Sequence, residues 1–407
     1  MEKLLDKLNR HDTNLLKDKD GDIHPIKPSK RATWGPMPHL LDGGRPIRIG
    51  LIGCGEIAQV AHIPTLTFLS EKFTITYLCD INADALAFCA SRCSSSPPPK
   101  TTQNAEELCR SEDVDAVFIC SSDASHITHG VAALVAGKHV FIEKPLALCQ
   151  ADIRTLKSLE KDINKGRVFV GYMRRYASAF SDALKAVGRV DEIRYVKVRD
   201  IICPNSIFVN QSGTFPKKFG IPEEYLKELT ENEEGIIKSA LVDDMGLAVT
   251  PKRKAMLRLL GGLGSHDLSA MRELLGMPRG VLGARLDPQM WTVLFDYPNF
   301  AVTYESGFNN IPLFDASIEI FTDNKVVTIK YDTPYVKGLP TTIVIREKVG
   351  DGTGYQERVL RSSYEDPYTK QMKEWWECMV NGKEIKTTIE DAALELDLFK
   401  MILRAAD

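Results

Sequence analysis

IRIGLIGCGEI, residues 47–57, decides the fold of this 407-residue chain. The apolar run breaks at Gly53-Cys54-Gly55, and Ala58 completes a G-x-G-x-x-A turn. A buried strand that turns on paired glycines into a helix brings backbone N–H groups and a helix N-terminus up to a pyrophosphate. Alone, such a triplet also describes a plain strand-to-helix turn; its surroundings narrow the choice. A second strand-like run, TITYLCD at 74–80, ends in Asp80, where an adenosine ribose needs its hydroxyls bound. A third, at 116–120, runs into Ser121-Ser122-Asp123, and a fourth, at 140–142, into Glu143-Lys144-Pro145. With RVFVGY at 167–172 as its last strand, the segment 46–172 alternates strands and helices. That order predicts a parallel sheet with helices on both faces, a Rossmann dinucleotide-binding domain in an α/β protein.

The rest of the chain is long enough for a second domain. Residues 1–45 are polar and weakly periodic and read as an N-terminal arm. Within it, Asp18-Lys19-Asp20-Gly21-Asp22 begins like a calcium loop, but the twelfth position, which needs a bidentate acid, is Ser29. A solvated turn is the better reading. Strand-like runs at 193–201, 291–295, 301–306, 317–322, 325–331 and 341–347 predict a C-terminal α+β domain, 173–384, with a large open, mostly antiparallel sheet. The polar stretch 203–255, with EEYLKELTENEEGI, exceeds an ordinary loop and reads as a helical insertion, a lid or an oligomer contact. Amphipathic runs at 368–380 and 389–405 predict two closing helices, with 385–407 packing back on the Rossmann domain and Trp375 and Trp376 as packing anchors.

Lys plus Arg number 52 against 55 acids, so no strong field directs the chain to nucleic acid or an anionic membrane. No apolar stretch reaches the ~18–20 residues that span a bilayer. Charges in MEKLLDKLNRHDTNLLKDKD stand where a signal peptide carries its apolar core. The expectation is a cytoplasmic protein without nucleic-acid or membrane partners. Nine cysteines, an odd number, fall mostly inside expected strands and helices and read as reduced thiols. No CxxC or Cys/His cluster has metal-ligand spacing, so no metal is expected.

The order G-x-G-x-x-A, Asp80, a polar turn with His126, Glu143-Lys144-Pro145, Gly171-Tyr172-Met173-Arg174-Arg175 and Gly264-Ser265-His266 resembles the glucose–fructose oxidoreductase/inositol dehydrogenase (Gfo/Idh/MocA) family over residues 46–405. Glu-Lys-Pro after an apolar strand is a more specific signal than the glycines. The resemblance implies a nicotinamide-dependent enzyme acting mostly on sugars, polyols, cyclitols and related acids. It also implies a homodimer or homotetramer built through the C-terminal sheet. Gly53, Gly55, Glu56, Ile57, Asp80, Ser121, Ser122, His126, Glu143 and Lys144 would then contact the cofactor, and Tyr172, Arg174 and Asp267 the substrate.

Moving a hydride to or from a carbinol carbon requires a group that takes or gives the hydroxyl proton. Lys144 stands just past a strand end, at the edge where open α/β sheets bind ligands, and suits that role. His266, at the start of a helical pattern after a glycine-rich turn, is the second candidate; in relatives a histidine at this place works beside the lysine. Glu143 can orient Lys144 or bind the nicotinamide ribose. Many relatives carry an aspartate four residues before the histidine, where this chain has Gly262. Either Lys144 and His266 suffice, or Asp243 or Asp244 reaches the site, or dehydrogenase chemistry is lost. The last option leaves an alternative function, a dinucleotide-binding regulator without turnover. Asp80 would accept from both ribose hydroxyls and repel a 2′-phosphate, and Ile81-Asn82 offers no arginine to cradle one. NAD is therefore favoured, with NADP left open.

Overall fold

The computed structural model describes residues 40–163 and 166–406. The acidic run at 18–22, and all but the last six residues of the expected arm, lie outside them. Six strands, β1 (Ile47–Ile52), β2 (Phe73–Cys79), β3 (Lys100–Thr102), β4 (Ala116–Ile119), β5 (His139–Glu143) and β6 (Val168–Gly171), form one sheet in the order β3-β2-β1-β4-β5-β6. Every neighbouring pair is parallel. Apart from β3, at the edge, the strands are short apolar runs largely buried on both faces, as a sheet covered on two sides demands. Helices α1 (Ile63–Phe68), α2 (Ala83–Arg92), α3 (Ala105–Arg110), α4 (His126–Val135) and α5 (Gln150–Ile163) make the crossovers. Asn82 and Asn104 cap α2 and α3, each side-chain oxygen accepting from two backbone N–H groups.

Helix α6 (Ser178–Val187) leads into β7 (Ile193–Ile202). The expected insertion is helical: α7 (Asn205–Gln211), α8 (Glu223–Lys238) and α9 (Pro251–Leu259) precede α10 (Ser265–Leu275). Seven strands follow, β8 (Gly280–Arg285), β9 (Met290–Asp296), β10 (Ala301–Phe308), β11 (Asp315–Thr322), β12 (Lys325–Tyr331), β13 (Thr342–Val349) and β14 (Gly354–Leu360). With β7 they build an eight-stranded sheet in the order β14-β13-β12-β11-β7-β10-β9-β8. It is antiparallel except where β7 and β10 run parallel. Strand β9 alternates strictly, with Trp291, Val293 and Phe295 buried and Met290 and Leu294 exposed.

Helices α11 (Pro367–Asn381) and α12 (Ile389–Ala405) close the chain. Trp375 of α11 stacks on Phe73 and meets Phe118 and Phe141 edge-on, so this helix completes the core of the parallel sheet. Trp376 lies beneath the Lys72 ammonium. Helix α12 packs against α5 and β6 on one side and α10 and β8 on the other, tying the two sheets together. All nine cysteines are free, and eight are buried.

Candidate active site

The turn after β1 is built around Gly53. Its φ is 101°, and a Cβ there would come within 2.6 Å of the Cys120 backbone, so the protein itself requires glycine. Gly55 is different: a Cβ there meets nothing within 4 Å. The space it leaves open is where a pyrophosphate passes in this fold, so the residues present fit a dinucleotide. Asp80 ties the turn to the end of β2. Its Oδ2 accepts from Cys54 N–H at 2.7 Å and its Oδ1 from Asn82 N–H at 2.8 Å, leaving each oxygen further acceptor capacity for ribose hydroxyls.

The chain widens into a π-helical turn at Ala58–His62, which places His62 in the core against Phe118. His62 Nε2 lies 2.8 Å from Glu143 Oε1, and the Lys144 N–H donates to Glu143 Oε2 at 3.0 Å. Burial alone would raise the Glu143 carboxyl, but the His62 hydrogen bond and the neighbouring Lys144 charge outweigh it and hold the group below the usual carboxylate range. Sequence reasoning missed His62. Its only signal was a histidine two residues before a proline, Pro64, in the first turns after the glycines.

Lys144 Nζ donates to the Gly262 carbonyl at 2.6 Å. Gly262 belongs to a second π-helical turn, Leu260–Gly264, and a Cβ on it would also meet open space. His266 follows in the first turn of α10, and its Nδ1 is buried without a hydrogen-bond partner. Burial, with the Lys144 and Arg174 charges, pushes its imidazole well below the ordinary histidine range, so it is neutral at pH 7. Lys144, Gly262 and His266 line a cavity of about 410 Å³ with Cys120, Ser121 and Glu143 from the ends of β4 and β5. Glu56, Ile57 and Arg174 reach it as well. So do Asn205, Arg258 and Tyr335, which the sequence did not single out. They are linked in part, Tyr335 OH donating to Asn205 Oδ1 at 3.0 Å and Asn205 Nδ2 to Glu56 Oε1 at 3.2 Å.

Several expected site residues do other work. The Tyr172 hydroxyl is buried and donates to Glu395 Oε2 at 2.8 Å, away from the cavity lining. The structure thus places this hydroxyl, expected to meet substrate, in a core contact with α12. Asp267 is likewise buried outside the cavity, paired with Arg174, whose other terminal nitrogen lies 3.0 Å from Asp200 Oδ2. Burial and the nearby Asp200 push the Asp267 carboxyl well above its ordinary range, against the pull of Arg174. Arg174 meets the cavity wall, but its guanidinium is spent on this buried pair of acids. Asp243 and Asp244 do not line the cavity; Asp244 Oδ2 accepts from Gln150 N–H at 2.7 Å, at the start of α5.

The polar turn after β4 is tied into the Lys-Pro turn. His126 is buried, with Nδ1 2.8 Å from the Pro145 carbonyl oxygen and Nε2 3.1 Å from that of Ser121. Ser121 Oγ pairs with His129 Nδ1 at 2.9 Å, and burial beside His126 lowers the His129 pKa to about 4. Ser122 Oγ bonds Ser125 Oγ at 3.1 Å.

A parallel sheet with a glycine turn, a carboxylate at the end of β2 and a lysine–histidine cavity at its C-terminal edge has the form of an NAD(P)-binding Rossmann fold. Residues 47–172 match the model of the Gfo/Idh/MocA family, described as an oxidoreductase family with an NAD-binding Rossmann fold. The chain is 36% identical over 141 residues to inositol 2-dehydrogenase 3 of Saccharopolyspora erythraea, covering 35% of this chain and 40% of the relative. It is 38% identical over 141 residues to inositol 2-dehydrogenase of Gluconacetobacter diazotrophicus, covering 34% and 40%. The matched region thus spans about two fifths of these relatives. The likeness of fold extends further. KijD10, a 3-ketoreductase from Actinomadura kijaniata solved with NADP and TDP-benzene, superposes with a TM-score of 0.64 at 18% identity, over 89% of this chain and 98% of that one. Aldose-aldose oxidoreductase from Caulobacter crescentus, solved with glycerol, gives 0.65 at 18% identity over the same shares. Among the described residues no helix is long and apolar enough to cross a membrane.

Proposed function

We propose that this protein is an NAD(P)-dependent oxidoreductase that moves a hydride at a secondary alcohol or ketone of a sugar, cyclitol or related polyhydroxy compound. The observation that carries the reading is the convergence of Lys144 and His266 on one cavity beside the glycine turn. Gly53, Gly55, Glu56, Ile57 and Asp80 would hold the adenosine and pyrophosphate, and Ser121, Ser122, His126, Glu143 and Lys144 the nicotinamide side. Asp80 favours NAD. When bound, the nicotinamide supplies hydride acceptance or donation. In the direction of oxidation, neutral His266 accepts the hydroxyl proton. The Lys144 ammonium, aimed by the Gly262 carbonyl, donates a hydrogen bond to the substrate oxygen and keeps its proton. The inositol dehydrogenases among the relatives support a polyol substrate. Met290 and Leu294, exposed on the open face of the second sheet, support a homodimer or homotetramer formed there.

The alternative, a regulator that binds the dinucleotide without turnover, gained its footing from the absent aspartate at position 262. The Lys144–Gly262 contact weakens it, since a backbone carbonyl supplies an acceptor for the lysine. The test is nicotinamide absorbance with NAD, then NADP, across a panel of inositols, sugars and sugar acids. Turnover with a polyol supports the enzyme; dinucleotide binding with no turnover across the panel favours the regulator.

A further inference from the structure

The insertion does not hang from the second domain as a free arm. It is pinned at several points to the parallel-sheet half of the molecule, and the pins at Asn82 and Ala124 land on the turns after β2 and β4 that border the dinucleotide cleft. At the glycine turn, Gln59 forms a two-way clamp with Lys217: Lys217 N–H donates to Gln59 Oε1 at 2.8 Å, and Gln59 Nε2 donates to the Lys217 carbonyl at 3.0 Å. At the end of β2, Asn82 Nδ2 donates to the Gly220 carbonyl at 2.9 Å. On α2, Arg92 donates to the Thr214 carbonyl at 2.7 Å. Beyond β4, Asn232 Nδ2 of α8 donates to the Ala124 carbonyl at 2.6 Å.

Strands β2 and β4 flank β1, so the anchors at Asn82 and Ala124 sit on either side of the glycine turn. Two strand spacings are about 10 Å. The stretch of α8 from Glu223 to Asn232 advances roughly 13 Å, enough to bridge that gap. Between the anchors, Ile221 and Leu226 remain 52% and 49% exposed, apolar surface suited to a flat heterocycle. The pinning extends to backbone strain. Phe215 lies between the Arg92 and Gln59 anchors with φ 49°, the one positive value at a non-glycine among the described residues. Such a conformation persists where its surroundings over-determine it.

We propose that residues 212–232 form a strap that roofs the adenosine half of the dinucleotide site and must lift for the cofactor to enter or leave. This rests on the dinucleotide-binding reading above. Limited trypsin digestion of the full chain tests it, because Lys217 and Lys218 are exposed on the strap. If bound NADH blocks lifting, cleavage there slows by roughly tenfold at ten times Kd. In the Arg92→Ala/Asn232→Ala double variant, which loses two exposed anchors and no expected cofactor contact, NADH release measured by stopped-flow fluorescence should quicken about 3- to 30-fold. NADH that binds without slowing cleavage at Lys217 and Lys218, or leaves both proteins at one rate, overturns the strap and leaves the dinucleotide reading standing. Failure of both NADH and NADPH to bind overturns the two together.

Discussion

Lys144 and Gly262 meet across the cavity, the lysine ammonium 2.6 Å from the glycine carbonyl oxygen. Where the family resemblance implies an aspartate, this chain offers a backbone acceptor and an open Cβ position. A carbonyl can aim an ammonium as a carboxylate does, but it adds no negative charge. The pair proposed to handle the proton is thus set in a site where burial, with the Lys144 and Arg174 charges, lowers the basicity of His266, and no acid stands at 262 to oppose them.

That electrostatic setting predicts a pH profile. A histidine whose folded pKa lies below its unfolded value stays neutral while the unfolded chain takes up a proton. Stability is therefore whole above about pH 6.5 and declines as pH falls below it, toward the folded pKa. For the oxidation reaction, kcat/KM should stay level through pH 7, with any acid limb due to His266 below pH 6.5. A limb at or above that value, removed by His266→Gln, contradicts the assignment.

The two glycines of the first turn should separate by experiment. Gly53→Ala forces a Cβ against the Cys120 backbone at positive φ and should destabilise the protein by roughly 2–4 kcal/mol in urea denaturation. Gly55→Ala meets no protein atom, so stability should hold within about 0.5 kcal/mol while NADH affinity falls at least tenfold. Equal losses of stability in both variants would show that Gly55 serves the fold and not a ligand.

The His62–Glu143 pair is the buried support of the Lys-Pro turn. His62→Ala strands a buried carboxylate and should cost about 3–5 kcal/mol at pH 7, with His62→Gln recovering part of it by retaining a donor. Because the folded Glu143 pKa is depressed, its contribution is present above the unfolded value near pH 4.3 and is lost as pH falls through the folded one. Denaturation of the unmodified and Ala proteins should converge toward acid pH. A gap that stays constant from pH 7 down to pH 3 would remove the His62–Glu143 contact from the explanation.

How much of this was legible in sequence follows from how each element is stabilised. The parallel strands are short apolar runs with a polar residue at the functional end, so Asp80, Ser121, Glu143 and Lys144 could be placed at the sheet edge from pattern alone. Strand β14 could not: GYQERVL is exposed throughout, and its place comes only from pairing with β13. Strand β8, GVLGAR, lacks alternation and carries two glycines. At the site, Tyr172 and Asp267 have side chains suited to sugars, yet their partners, Glu395 and Arg174, lie 223 and 93 residues away. Such pairings carry no local signal. The same holds for His62 and Asn205, which enter through tertiary contact.

The central claim is that Lys144, holding the substrate oxygen beside His266, is required for proton transfer in a nicotinamide-dependent oxidation. Its most direct test compares the unmodified protein with Lys144→Ala, using the polyol that turns over best and following nicotinamide absorbance and NADH binding together. The account predicts kcat/KM lower by ~10²–10⁴-fold, with NADH affinity changed by far less. A variant that keeps its rate within about threefold while binding NADH normally would contradict it.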